Sequence, residues 1–290
     1  MLLQRIITAS ILALLVILAV FQLSSEYFSL VLALIILVAA WEWGNLAGID
    51  SPLKRSLLLL ALVLPMLGIH FWTYFLEFVA QNLDWPDVRN YSGALEWLVI
   101  APVLFWILVM ILIRNTPSGL LKLELKTRYK ALIGWFVLLS AWMFLSRLRA
   151  FYDVEMALYF LILIWAADIA AYFVGKKYGQ TKLAPDISPG KTVAGMYGAL
   201  AVGAACAVVL SLIYGFDFMI ASDFVLLSVL TVLISIYGDL FFSVAKRQRG
   251  VKDSGSILPG HGGILDRIDS LIAGAPFFYA GIFLIYRLVS

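Results

Sequence analysis

The sequence predicts an all-α, polytopic integral membrane protein with about nine transmembrane helices. Of its 290 residues, 63% are hydrophobic and 13% are charged, whereas about a quarter of the residues of an ordinary soluble domain are charged. No soluble fold of this length could bury so much apolar surface. The long apolar runs lack the alternating pattern of barrel strands, and backbone groups in hydrocarbon must be satisfied within the segment, so these runs should be helices.

Nine apolar runs define the predicted spans. In chain order they are 6–25, 27–43, 56–79, 95–113, 130–147, 154–175, 192–214, 224–243 and 266–288. The first run follows Arg5 and lacks a small-x-small cleavage site, so we interpret it as a retained helix and not as a signal peptide. The single cysteine, Cys206, excludes an internal disulfide.

The distribution of basic residues predicts that the N-terminus is cytoplasmic and the C-terminus is outside. Of the 21 Lys and Arg residues, all but four fall on segments that this topology places inside. The four outer ones are Arg89, Arg147, Arg149 and Arg287. Such an excess of inner positive charge sets the orientation of membrane proteins.

The two halves of the chain differ in their polar content. Residues 1–155 form five predicted helices without clustered polar residues, and residues 156–290 form a predicted catalytic region of four helices and two basic loops. Glu42 and Glu77 lie near helix ends, where we expect ordinary interfacial solvation. The chemistry should therefore reside after residue 160.

The first polar cluster begins with Asp168, inside the sixth span. A carboxylate there costs about 2.5–3.5 kcal/mol on insertion scales, so it is a candidate for function. Four lysines follow: Lys176, Lys177, Lys182 and Lys191. An ordinary positive-inside loop explains the lysines equally well.

The second cluster comprises Asp239, Ser243 and Lys246, near the inner end of the eighth span. Their spacing of four and seven residues puts them on one helical face, which should not face lipid. Alternatively, Asp239 is an ordinary acidic residue whose carboxylate reaches the membrane–water interface and has no role in a site.

The third cluster is the loop that precedes the ninth span. Residues 259–263, Pro-Gly-His-Gly-Gly, can expose consecutive backbone N–H groups that bind an anion. Asp266 and Asp269 then open the span, and helix capping is an alternative role for Asp269.

Together the clusters predict metal-assisted phosphate chemistry at the inner membrane face. Carboxylates suit Mg²⁺, which binds through one or two of them plus substrate phosphates. Lysine, arginine and backbone N–H groups suit phosphate oxygens. Clusters of thiolate or imidazole are missing from the sequence, which disfavours zinc or iron.

The third cluster and its flanks resemble a known family. Residues 243–269 have the pattern S-x-x-K-R-x(4)-K-D-x(5)-P-G-H-G-G-x-x-D-R-x-D, which is similar to the signature of the phosphatidate cytidylyltransferases, or CDP-diacylglycerol synthases. The segments "ADIAAYFVGKKYG" and "KLAPDISPGKT" extend the resemblance to residues 160–275. Ala245 and Ala194 depart from the usual pattern, but no charged member of the main motif is changed.

The resemblance implies that CTP and phosphatidic acid give CDP-diacylglycerol and pyrophosphate, with Mg²⁺ required. It also implies a homodimer in a bacterial cytoplasmic (inner) membrane, with the active site facing the cytoplasm and without a nucleic-acid partner. The attacking phosphate is already ionised near neutral pH, so a strong general base is not needed.

The expected site residues fall into three groups. The metal carboxylates are Asp239 and Asp266. The other catalytic residues are Lys252, Arg267, Ser243 and His261. For His261 we favour donation to a phosphate, and shaping of the loop is the alternative role. The substrate-binding residues are Lys246, Arg247, Lys176, Lys182, Lys191, Gly260, Gly262, Gly263, Asp168 and Asp269.

Two other functions compete with this hypothesis. A related CTP-dependent enzyme could act on another lipid phosphate or on a polyprenol. A cation-coupled transporter could also place acids in the membrane, but transporters tend to carry matching polar interruptions in both halves. Here the polar residues lie in one half, and a non-catalytic scaffold leaves the signature unexplained.

Overall fold

A computed structural model describes residues 2–258 and 260–289, with side chains described from Ser10 to Arg287. The side chain of Arg5 and the whole of Pro259, which enter the predictions above, lie outside the described residues.

The described residues form helices joined by short connections and one small hairpin. The α-helices are α1 (Leu2–Gln22), α2 (Ser25–Leu46), α3 (Pro52–His70), α4 (Trp72–Asn82), α5 (Ile100–Asn115), α6 (Pro117–Lys122), α7 (Thr127–Phe151), α8 (Asp153–Tyr178), α9 (Val193–Tyr214), α10 (Phe218–Arg249) and α11 (Leu265–Val289). A 3-10 helix, Pro86–Val99, leads into α5, and strands β1 (Lys182–Ala184) and β2 (Ser188–Thr192) lie between α8 and α9.

Eight helical stretches in the described part of the chain are long and apolar enough to cross a membrane. The chain is therefore an integral membrane protein built from helices. The described apolar part of α1, Ser10–Gln22, is shorter than these stretches, so a ninth span stays a prediction. The predicted run 56–79 is interrupted, because α3 ends at His70 and α4 begins at Trp72.

The hairpin is a local departure from the all-α prediction. β1 pairs antiparallel with β2, and Lys182 lies opposite Thr192. A Pro-Asp pair follows β1, and both residues favour turns. The Thr192 side chain accepts a hydrogen bond from the N–H of Gly195 at 3.1 Å and so caps α9. The hairpin and the cap together fix the position of Lys191.

Small residues allow the helices of the second half to approach closely. A Cβ atom built on Gly238 of α10 would lie 2.3 Å from the Cβ of Ala273 on α11. A Cβ on Gly175 of α8 would lie 2.8 Å from Oγ1 of Thr192. Because no larger side chain fits at these crossings, the backbones of α8, α9, α10 and α11 pack tightly. The acidic residues on these helices are thereby brought near one another.

The segments that carry most of the basic residues meet at one end of the bundle. Arg249, at the end of α10, pairs with Asp50 in the α2–α3 connection at 2.7 Å. Gln248 donates to the carbonyl oxygen of Leu120 in α6 at 2.8 Å. These contacts join the α2–α3, α5–α7 and α10–α11 connections into one polar layer.

A second polar group lies near the middle of α11. Arg147 of α7 donates to Glu96 at 2.8 Å, and the Tyr279 hydroxyl donates to the same carboxylate. This group ties α7, α11 and the 3-10 helix together.

Candidate active site

Asp239 on α10 is held by two neighbours. Lys191 lies in β2, and its ammonium is 2.7 Å from Oδ2 of Asp239. The same ammonium donates to the carbonyl oxygen of Ile236 at 3.1 Å. The Ser243 hydroxyl donates to Oδ1 at 3.3 Å. The predicted shared face of Asp239 and Ser243 is therefore confirmed, and Lys191 supplies the counter-charge.

A cavity of about 430 Å³ opens beside this ion pair. Its polar lining comprises Asp168, Tyr172, Ser188, Lys191, Thr192 and Asp239. The cavity brings together Asp168 of the first polar cluster and Asp239 of the second, with a lysine between the helices that carry them. Two carboxylates and an ammonium facing one space can hold a phosphate group together with a cation.

Asp266, in the first turn of α11, forms a second ion pair. Its Oδ1 lies 2.7 Å from the ammonium of Lys246, and the two side chains are only 5% and 12% exposed. Its Oδ2 accepts from the N–H and hydroxyl of Ser254 at 2.8 and 3.0 Å and from the N–H of Gly263 at 3.0 Å. One carboxylate therefore joins α10, α11 and the loop between them.

Glu42 on α2 reaches the same loop. It is 3% exposed, and it accepts from the Ser254 hydroxyl at 2.9 Å and from the N–H groups of Ile264 and Leu265 at 3.0 and 2.9 Å. The interpretation of Glu42 as an interfacially solvated acid is wrong, because the side chain is buried and accepts three hydrogen bonds from the chain itself. Glu77, by contrast, pairs with Arg89 at the surface.

The glycine loop is predicted to bind an anion, but several of its backbone N–H groups already have acceptors within the chain: that of His261 donates to the carbonyl oxygen of Leu258 at 3.0 Å, and those that begin at Gly263 bind carboxylates. Gly260 and Gly262 have φ values of +75° and +82°, which favour glycine. The N–H of Gly263 binds Asp266, and those of the next two residues bind Glu42. Nδ1 of His261 is buried without a hydrogen-bond partner among the described residues.

Asp269 is 8% exposed, and its backbone oxygen lies at the crossing of α10 and α11, 3.3 Å from a Cβ atom built on Gly238. Its Oδ1 accepts from the N–H of Ser270, the next residue. Capping of α11 is carried out by Glu42, which binds the N–H of Leu265, the first residue of the helix. The alternative role of Asp269 as the helix cap is therefore not needed.

The other predicted cations lie nearer the surface. Arg247 donates to the carbonyl oxygen of Ile187 at 3.2 Å, which ties α10 to the hairpin. The Lys176 ammonium lies 5.9 Å from the ring centre of Tyr172. Lys182, Lys252 and Arg267 are exposed.

The donor set fits Mg²⁺. Within residues 2–258 and 260–289, no group of three or more His, Cys, Asp or Glu side chains is arranged to hold a metal by itself. Mg²⁺ does not need such a group, because it normally binds through one or two carboxylates and completes its shell with waters and substrate phosphates. Asp239 lines a cavity that has room for those ligands.

Comparison with known proteins identifies the family. The sequence model of the cytidylyltransferase family matches residues 3–285 of this chain. The chain belongs to the cytidylyltransferase family. A phosphatidate cytidylyltransferase of Haemophilus influenzae is 34% identical over 296 residues, which cover 96% of this chain and 97% of that protein. One of Pseudomonas aeruginosa is 35% identical over 281 residues (97% of this chain, 96% of that protein). A phosphatidate cytidylyltransferase of Bacillus subtilis is 44% identical over 131 residues, which cover 44% of this chain and 47% of that protein.

In this cytidylyltransferase, sequence reasoning missed Glu42 as a member of the site. The available signal was a carboxylate between two tryptophans in an apolar helix, since a buried acid in a membrane segment needs a partner. That signal could have marked Glu42 as engaged, but its partners are more than two hundred residues away in the chain.

Proposed function

We propose that the protein transfers the cytidylyl group of CTP to phosphatidic acid, giving CDP-diacylglycerol and pyrophosphate. The observation that carries the proposal is the cavity where Asp168, Lys191 and Asp239 meet. Two helical turns farther along α10, Lys246 pairs with Asp266. Membership of the cytidylyltransferase family supports nucleotidyl transfer, and full-length relatives bear the name phosphatidate cytidylyltransferase.

The reaction must bring two polyanions together. Lys191 and Lys246 are the cations placed deepest in the site, and they can neutralise phosphate oxygens of the two substrates. The exposed Lys252 and Arg267 can meet the triphosphate as it enters. The phosphate of phosphatidic acid is already ionised, so it attacks without a base supplied by the protein.

Asp239 and Asp266 are the proposed magnesium carboxylates. Each oxygen of an ionised carboxylate has about two acceptor positions. Both oxygens of Asp239, and Oδ1 of Asp266, accept a single hydrogen bond or ion-pair contact each, which leaves a position for a metal. Bound Mg²⁺ would neutralise charge on the attacking and leaving phosphate oxygens.

The site should face the cytoplasm of a bacterial inner membrane. The excess of Lys and Arg on the polar layer supports this orientation, and the relatives named above are bacterial. CTP is a cytosolic nucleotide, so the opposite orientation would separate the site from its substrate. A homodimer stays a prediction.

Cysteine labelling tests the orientation. In a Cys206→Ser background, a cysteine introduced by Ser256→Cys in the α10–α11 loop should react with a membrane-impermeant maleimide in inverted vesicles or permeabilised cells. The same cysteine should not react in intact cells. Asp87→Cys, an exposed position at the opposite end, should react in intact cells. The reverse pattern would contradict the proposed orientation.

An assay of purified protein tests the activity. CTP labelled in the α-phosphate should give a labelled lipid and release pyrophosphate when phosphatidic acid and Mg²⁺ are present. EDTA should stop the reaction, and added Mg²⁺ should restore it.

Parallel reactions separate the rival activities. A polyprenyl phosphate in place of phosphatidic acid tests the related enzyme, and label in the γ-phosphate tests a kinase. Transfer of label only to the polyprenyl acceptor, or only from the γ-phosphate, would refute the proposal.

A further inference from the structure

The loop between α10 and α11 is bound by two carboxylates from different parts of the chain. Asp266 holds Ser254 and Gly263, while Glu42 holds Ser254, Ile264 and Leu265. The Ser254 hydroxyl lies 2.9 Å from Oε2 of Glu42 and 3.0 Å from Oδ2 of Asp266. A hydroxyl has one proton, so the two carboxylates share a single donor.

Glu42 is placed rigidly by its neighbour in α2. The indole N–H of Trp43 donates to the carbonyl oxygen of Lys130 at 2.9 Å, and its ring stacks on Phe241 of α10 with the ring centres 5.8 Å apart. A Cβ on Gly134 of α7 would lie 1.8 Å from the indole nitrogen, so glycine is required there. α2 is thus fixed against α7 and α10, and Glu42 projects from a rigid surface.

The glycines of the loop fit closely around Glu42. A Cβ on Gly255 would lie 2.4 Å from Oε1 of Glu42, and a Cβ on Gly263 would lie 2.3 Å from Oε2. The loop backbone therefore surrounds the carboxylate on two sides. A buried carboxylate with this many donors restrains the backbone that supplies them.

We propose that Glu42 is a positioning residue for the cytidylyl-transfer site. It fixes the 263–265 backbone at the start of α11 and thereby sets where Asp266 meets Lys246. Glu42 lies in the half of the chain that carries none of the other proposed site residues, so a helix outside the signature region determines the geometry of the signature loop. The inference relies on the proposed function only for its activity measurement.

Two measurements on Glu42→Gln test the inference. The amide replaces one acceptor oxygen with a donor, so it cannot accept all three hydrogen bonds. Hydrogen–deuterium exchange of the peptide containing Ile264 and Leu265 should become at least about tenfold faster, because exchange reports local opening. The kcat per folded enzyme at saturating CTP should fall about thirtyfold, which is about 2 kcal/mol.

Matched variants separate positioning from general damage. Glu26 lies at the opposite, exposed end of the same helix. Glu26→Gln should change neither the exchange rate of the loop nor kcat. Exchange in the hairpin, residues 182–192, should match wild type in every variant. Ser254→Ala removes only the shared hydroxyl and should accelerate loop exchange in the same direction by a smaller factor.

The exchange measurement decides the inference even without activity. If the wild-type protein makes no CDP-diacylglycerol, the proposed function fails, while loop exchange still reports whether Glu42 holds the loop. Wild-type exchange at residues 264–265 in Glu42→Gln would refute the inference, as would an unchanged kcat. If Glu42→Gln cannot be recovered folded, the loop exchange of Ser254→Ala decides it.

Discussion

Asp239→Asn is expected to lower kcat about a thousandfold, which corresponds to about 4 kcal/mol of activation free energy. The amide loses the negative charge that pairs with Lys191 at 2.7 Å, and it is a poor ligand for Mg²⁺ compared with a carboxylate. Turnover of the purified variant with CTP, phosphatidic acid and Mg²⁺ measures the effect.

A control on the same helix makes this result specific. Asp223→Asn changes an exposed carboxylate near the opposite end of α10 and should retain wild-type turnover. Both variants should insert and purify in equal amounts. Turnover of Asp239→Asn within a few-fold of wild type would remove Asp239 from the proposed metal site.

Asp266→Asn is expected to have the second largest effect, and it should reduce both stability and activity. The variant leaves the ammonium of Lys246, which is 12% exposed, without its partner. Breaking a buried pair by removing one member costs about 3–5 kcal/mol, because the remaining charge stays buried. Thermal unfolding in detergent and turnover per folded enzyme measure the two effects separately.

A double variant separates the structural role of the pair from its chemical role. Asp266→Asn combined with Lys246→Met removes both charges, so most of the lost stability should return. Activity should stay at least about a hundredfold below wild type, or about 2.7 kcal/mol, because both groups act on phosphates in the proposed reaction. If the double variant regains activity together with stability, the pair serves folding alone.

Much of the fold could be predicted because hydrocarbon imposes simple rules. Apolar runs of sufficient length must be helices, and the spacing of Asp239 and Ser243 placed them on one face, as the structure confirms. The break at Phe71 was not predicted, because the 56–79 run contains only four scattered polar residues, Ser56, His70, Thr73 and Glu77, and no polar cluster. The hairpin was missed because its strands are only three and five residues long.

The site was harder to predict because its contacts join distant segments. Lys191 and Asp239 were both chosen, but nothing in one sequence shows that they form a pair 48 positions apart. Asp266 was assigned to metal, and its four hydrogen-bond and ion-pair contacts became visible only when the loop was folded around it. Spacing reveals neighbours within one helix, whereas packing decides neighbours between helices.

The position of Asp239 along α10 has a consequence for the lipid substrate. From Phe218 to Asp239 the helix rises about 32 Å, which matches the roughly 30 Å of hydrocarbon in a bilayer. Asp217 caps one end of this stretch and Asp239 lies at the other, so a bilayer that covers the stretch would place Asp239 at the level of its lipid headgroups. A diacyl lipid can then react with its tails still dissolved in the bilayer. Withdrawing even ten methylene groups into water would cost about 8 kcal/mol, so this placement removes a barrier that a site farther from the membrane would impose.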